Sequence, residues 1–256
     1  MPADATLTSE QRRVIADLKS DQRSISLPIL GPDDGEIGRL TPVTPSLAAR
    51  TEVVQSLCRW RATHALSFLT VFTPTPDNVR DYLVKYSLPD PARVLFLVQD
   101  DGGRLVGNIG FCNIAAESAE LDNVLRGEPA NPVRLMTDAQ TALLDWAFRI
   151  LRVQGVYLQV LAANTRAIRL YERIGFATTG QVGLTRVPQG DGYRLVPAGA
   201  TDLDPPVAHL KRMEITSDQF YAAGRCGSAA QSAGSGGDVA AVASSYRHGG
   251  AGDRRR

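Results

Sequence analysis

Asn164-Thr-Arg-Ala167-Ile-Arg-Leu170-Tyr171-Glu-Arg-Ile-Gly175-Phe176 is the stretch on which the reading of this chain turns. Asn164 is a strong N-cap residue, because its side-chain oxygen can accept a free N–H of the first turn. Ala167, Tyr171 and Ile174 then recur at helical spacing and define one apolar face. Gly175 suits the left-handed conformation that ends helices, and Phe176 can fold back onto the last turn. Asn164 and Tyr171 are two turns apart on one side, roughly 10 Å along the axis. The segment reads as a short capped helix with an asparagine and a tyrosine in line.

Upstream, Val156 to Leu161 reads as a strand. Before it, Thr137 and Gln140 are spaced as a capping box opening a long helix, with Ala139, Leu143, Trp146 and Ile150 on one face. Arg126 to Met136 reads as the loop leading into that helix, and Glu120 to Leu125 as the strand before the loop. Strand, helix and strand of this size predict a parallel pair with a right-handed crossover. Earlier still, Val94 to Gln99 and Arg104 to Asn113 read as strands around a turn, Asp100 to Gly103. Two helices precede them. One carries Val53, Val54, Leu57, Cys58 and Trp60 or Arg61; the other starts at Thr75-Pro76 and carries Val79, Tyr82, Leu83 and Tyr86. The first strand of the domain is expected from Gly38 to Val43.

Residues 1–36 are expected to be an N-terminal extension, helical near Thr8 to Ser20, where Thr8 and Gln11 have capping-box spacing. Downstream, Ala177 to Val187 and Ala208 to Ile215 read as strands separated by a Gly/Pro/Asp-rich connection, Gly190 to Pro206. From Ser217 the composition collapses into Gly, Ala and Ser, so residues 217–256 are expected to be a disordered tail. The main domain is thus expected over 37–216.

The Asn, Ala, Leu-Tyr, Glu and Gly-Phe of the 164–176 stretch resemble the acetyl-CoA-contacting helix of the GNAT superfamily of N-acetyltransferases. The order of elements is similar to that fold as well. The resemblance implies an α/β class: a central mixed, mostly antiparallel sheet flanked by helices, the acyl-CoA N-acyltransferase fold. It implies an enzyme with acetyl-CoA as co-substrate and no metal. The resemblance makes Tyr171 the residue that protonates the departing thiolate, places Asn164 beside the pantetheine arm, and counts Ala167 among the cofactor contacts. An acidic residue on the Glu120 strand would accept the amine proton, and Glu120 and Asp122 both qualify. Two apart on one strand, they share a face unless a bulge intervenes.

The pyrophosphate of acetyl-CoA suits free N–H groups at a helix N-terminus. That assigns cofactor contacts to Arg126, Gly127, Val133, Arg134, Leu135, Met136 and Thr137. The chain departs from the family here. The usual Arg/Gln-x-x-Gly-x-Gly/Ala run is absent, and Pro129 and Pro132 donate no N–H.

The acceptor is expected to be a small-molecule amine, with an amino sugar in the lead. Glu120-Leu-Asp-Asn-Val-Leu-Arg-Gly127 resembles acetyltransferases of amino sugars and surface polysaccharides. The whole layout is also similar to ribosomal-protein N-terminal acetyltransferases, which makes a peptide α-amine the alternative. The Gly-poor loop leaves a third reading, an acyl-CoA-binding module without turnover.

Composition narrows the classes further. The chain has 256 residues, a net charge of +1 and three cysteines, Cys58, Cys112 and Cys226, at no metal or disulfide spacing. That balance makes a nucleic-acid partner unlikely on charge grounds, and the thiols read as reduced and incidental. No leader pattern and no membrane-length apolar run is visible, so a cytoplasmic location is expected.

Overall fold

The computed structural model describes residues 6–199 and 204–224. Thr8 caps α1 (Ser9–Leu18): its hydroxyl accepts the Gln11 N–H, and the Gln11 side chain accepts the Thr8 N–H in return. β1 (Leu27–Leu30) and β2 (Glu36–Pro42) form an antiparallel hairpin. Then come α2 (Pro45–Ala49), α3 (Thr51–Thr63) and the two-residue β3 (Thr70–Val71). α4 (Pro76–Asp81) opens on the Thr75 cap and widens into π-type winding over Tyr82–Ser87. β4 (Val94–Asp100), β5 (Leu105–Cys112) and β6 (Ser118–Arg126) run as an antiparallel meander. α5 (Leu135–Trp146) ends in a π-type turn, Ala147–Leu151, and leads to β7 (Gly155–Leu161). α6 (Thr165–Ile174), β8 (Ala177–Gln189), β9 (Gly192–Pro197), β10 (Ala208–Thr216) and α7 (Ser217–Ala222) complete the described chain.

Among the described residues all ten strands lie in one sheet, ordered β1-β2-β4-β5-β6-β7-β10-β8-β9-β3. β6 and β7 are parallel, and every other pair is antiparallel. This is the mixed, mostly antiparallel sheet that the sequence predicts. Both faces are covered, which is why β4 reads as a continuous apolar run rather than an alternating one. Val94, Phe96 and Val98 enter the core beneath α5, and Leu95 and Leu97 enter the second core beneath α3. Trp146 of α5 meets Phe96 edge-on at 5.9 Å and stacks on Phe111 at 6.4 Å.

Four expectations are corrected. The boundary at residue 36 is not a boundary of packing. β1 extends the sheet, Ile15 and Leu18 of α1 belong to the main core, and Gln11 Nε2 donates to the carbonyls of Ala115, Ala116 and Leu151. The Thr137/Gln140 capping box does not form. The helix already starts at Leu135, and Gln140 is fully buried with its amide turned back onto the Met136 carbonyl. The expected 190–206 connection contains β9, paired to β8 over Leu184↔Pro197 to Gln189↔Gly192, so much of it is hairpin. Ser217–Ala222 is a helix with a Thr216/Gln219 capping box, and Phe220 is fully buried against Phe148. Residues 225–256, Cys226 among them, lie outside the described residues.

Candidate active site

The parallel pairing of β6 and β7 runs from Ser118↔Gly155 to Leu121↔Leu158 and stops. β6 continues to Arg126 against β5, and β7 continues to Leu161 against β10. From Asp122 onward, the β7-facing edge of β6 therefore has no strand partner. A notch opens in the middle of the sheet, lined with backbone donors and acceptors that an extended ligand can pair with.

A bulge marks the start of the notch. Asn123 has a left-handed φ of 53°, and the β5–β6 register slips between Asn108 and Gly110. Asn108 Nδ2 holds the displaced Asn123 carbonyl at 2.6 Å. The bulge follows Asp122, so Glu120 and Asp122 keep a common face, but their surroundings differ. Glu120 lies inside the paired region opposite Tyr157, and its two oxygens accept from Asn113 Nδ2 and Gln159 Nε2. Asp122 is the first residue past it. Its Oδ2 takes Arg93 Nη1 at 3.0 Å and Asn123 Nδ2 at 2.8 Å, and its Oδ1 takes the Asn123 N–H. The Tyr82 hydroxyl accepts from Arg93 and from Asn123 Nδ2, closing the cluster. Burial raises the Tyr82 phenol, and burial with the nearby Asp122 and Glu120 charges raises the Cys112 thiol, so both stay protonated.

Tyr171 projects from α6, which is built as its sequence predicts. Asn164 Oδ1 accepts the Ala167 N–H, Gly175 takes a left-handed φ of 108°, and the Phe176 N–H returns to the Tyr171 carbonyl. Ile168, Tyr171 and Ile174 are buried, Ala167 is half-buried, and the Phe176 ring meets Tyr171 edge-on at 5.9 Å. The Tyr171 hydroxyl has no hydrogen-bond partner among the described residues. Burial first, and the charge of Asp122 second, push its pKa well above the phenol range. It is therefore a protonated donor with a free hydrogen, within electrostatic reach of Asp122.

The loop into α5 is anchored through α3. Gly127 lies on the Trp60 ring so closely that a Cβ there would be 2.0 Å from Cδ2. Trp60 Nε1 and Arg59 both donate to Glu128, which lowers the Glu128 carboxyl. Arg104 holds the Pro129 carbonyl. At the helix start, the N–H groups of Val133, Arg134 and Met136 have no intramolecular acceptor among the described residues. These are the donors an anion needs. Of the expected contacts, Val133 is exposed, Leu135 and Met136 bury their side chains, and Thr137 is half-buried. Leu135 and Thr137 spend their N–H groups on Pro132 and Arg134. Arg134 is bound in a fork to Asp138 at 2.7 and 2.8 Å, and Arg126 is exposed at the end of β6.

A cleft of about 800 Å³ opens beside the Asp122 cluster, lined by Thr70, Tyr82, Lys85, Tyr86, Pro89, Asp90, Arg93 and Arg194. Sequence reading placed Tyr82 on an apolar stripe and passed over Arg93 and Arg194, because nothing local in Asp90-Pro-Ala-Arg93 or on β9 marks a site. Among the described residues no group of three or more His, Cys, Asp or Glu could hold a metal, and no helix is long and apolar enough to cross a membrane.

Comparison with known proteins matches the observed fold. The chain is 32% identical over 108 residues to the spermidine N(1)-acetyltransferase of Vibrio cholerae, a stretch covering 41% of this chain and 61% of that protein. The match thus spans less than two thirds of that relative. A crystal structure of the Vibrio cholerae spermidine N-acetyltransferase in complex with CoA and spermine superposes with a TM-score of 0.53 at 19% identity, covering 67% of this chain and 94% of the other. A mutant form of the spermidine/spermine N-acetyltransferase SpeG from the same organism gives 0.51 at 18% identity over 72% and 96%. The family model for the acetyltransferase (GNAT) domain matches residues 39–177, more than half of the chain, from within β2 through α6. The chain belongs to the acetyltransferase (GNAT) family.

Proposed function

We propose that this protein transfers an acetyl group from acetyl-CoA to a primary amine of a small molecule, by direct attack of the amine on the thioester. The observation that carries the reading is the notch past Leu121↔Leu158, with Asp122 at its mouth and the partner-free Tyr171 hydroxyl within its electrostatic reach. The open edge of β6 supplies backbone groups for the pantetheine amides. The free N–H groups at 133, 134 and 136 supply an anion site for the pyrophosphate, and this does not require the glycine-rich run.

In this reading the amine lone pair attacks the thioester carbon while an N–H on the open edge of β6 meets the developing oxyanion. The C–S bond breaks and the sulfur leaves as thiolate. Tyr171 donates a hydrogen bond to it; because its phenol is a weaker acid than a thiol, stabilisation precedes complete proton transfer. The amine proton passes to Asp122, whose oxygens keep lone pairs beyond those already used. Glu120 is the less favoured acceptor, since it sits inside the paired strands. The relatives act on polyamines by name; an amino sugar remains the lead acceptor from sequence resemblance.

The test is release of free CoA thiol from acetyl-CoA over a panel of amines, with mass gain on the product. Acetylation of a small amine supports the proposal. Mass gain only on peptides would replace the acceptor. Acetyl-CoA binding without thiol release would replace the enzyme by a binding module.

A further inference from the structure

The charges around the cleft are unbalanced. Two arginines of the lining, Arg93 and Arg194, and Arg61 behind Thr70 stand against two carboxylates. Arg93 contacts both of these, Asp122 at 3.0 Å and Asp90 at 3.6 Å. Lys85 is neutralised by Asp81 on the outer rim, and Asp191 there is turned onto the Thr73 N–H. That leaves Arg61 and Arg194. Arg61 donates to the Thr70 carbonyl and stacks 3.4 Å above the Phe68 ring, with no carboxylate in contact. Its guanidinium is half-buried, and burial, against the opposing attraction of Asp122, pulls its pKa down to about 10, so it stands behind the cleft wall as a cation without a contact ion pair. Arg194, on β9 across from Thr70, has neither a carboxylate nor a hydrogen-bond partner among the described residues. Tyr82 adds a donor, for its hydroxyl receives two hydrogen bonds and keeps its own proton.

A wall of donors and spare positive charge repels a polyamine and attracts an oxyanion, and guanidinium forks suit carboxylate and phosphate geometry. We propose that the acceptor of this protein is an amine that also carries an oxyanion, carboxylate or phosphate. Its amine lies at Asp122 and its oxyanion at Arg194, with Arg61 behind Thr70 adding field. The proposal rests on the transferase reading above. It separates this chain from the polyamine specificity named for its relatives, because spermidine would bring extra positive charge into a cleft that already has a surplus.

The experiment compares acetylation of matched acceptors: leucine against leucinamide, glucosamine 6-phosphate against glucosamine, and spermidine alone. The expected result is kcat/KM higher by roughly tenfold to a hundredfold for the anionic member of at least one pair, expressed mainly in KM, with spermidine the poorest. Preference within the first pair identifies a carboxylate, and within the second a phosphate. Arg194→Glu, on an exposed strand position where folding is not at stake, should abolish that preference and improve spermidine. A parallel calorimetric titration of the same pairs reads the anion site without turnover. Thiol release with neutral or cationic amines preferred, or an Arg194→Glu variant with unchanged ratios, overturns this proposal and leaves the transferase standing. No thiol release with any amine, and no preferential binding of either anionic member, overturns both.

Discussion

Arg93 Nη1 lies 3.0 Å from Asp122 Oδ2, so the residue that begins the approach to β4 is tied to the residue at which β6 leaves β7. One arginine thereby lines the cleft proposed for the acceptor and orients the carboxylate proposed to take the amine proton. Asp122→Asn is expected to lower turnover by about 10²-fold at pH values where the amine is protonated, with the deficit shrinking as free amine accumulates. Glu120→Gln should lose far less, because Glu120 itself lies inside the paired strands and both its oxygens are already taken by Asn113 and Gln159. Parallel pH–rate profiles of both variants check the assignment, and equal losses would count against it.

Tyr171→Phe keeps the ring against Phe176 and deletes only the hydroxyl. Acetyl-CoA binding, read from its effect on Tm, should survive. Turnover should fall by about 10- to 100-fold. A parental rate would make the hydroxyl a packing feature.

Gly127→Ala drives a methyl group into the Trp60 ring, which cannot retreat, because its indole N–H is held by Glu128. The variant should lose about 2 kcal/mol of stability and bind acetyl-CoA more weakly, since the loop into α5 must shift. Calorimetry of unfolding and binding gives both numbers. Unchanged values would show that the loop has room.

Phe220→Ala should destabilise by about 3–5 kcal/mol, as for a large aromatic removed from a core. Truncation before Ser217 should cost at least as much. Chemical denaturation of both variants is the check, and a tail that is dispensable from Ser217 would leave the midpoint in place.

Lys19 ties α1 to the cleft rim by donating to the carbonyls of Ser87, Leu88 and Asp90. Burial lowers its pKa to about 8, against 10.5 in an unfolded chain. Between those values the unfolded state binds more protons, so this group adds stability as pH rises. Lys19→Met should be less stable than the parent at pH 7.5, and the gap in Tm should widen by pH 9.5. A constant gap would show that Lys19 titrates normally.

Local chemistry wrote some elements directly into the residues. Thr8 with Gln11, Thr75 with Pro76, Asn164 and Gly175 are caps whose partners lie within a few residues, and all four helix ends form where they are read. The expected connection at Gly192–Pro197 and the expected tail at Ser217–Ala222 fail for the opposite reason. A Gly- and Pro-bearing strand and a single buried phenylalanine gain their stability from distant partners, β3 in one case and Phe148 in the other. Thr137 and Gln140 have capping-box spacing, yet the core takes Gln140 and moves the helix start to Leu135.

The sequence by itself determined the family motif on α6, the capped helices, the antiparallel run from β4 to β6 and the residue types needed for acyl transfer. Those follow from period, spacing and capping, which act over one to three turns. Only the tertiary structure decided that β6 and β7 part after Leu121 and Leu158, that Asp122 rather than Glu120 stands at the opening, and that Arg93 and Arg194 converge on one cleft with Arg61 held to the carbonyl of its Thr70. Strand divergence is set by packing on both faces of the sheet. The cleft's charge depends on which side chains lack partners, and no local pattern records either.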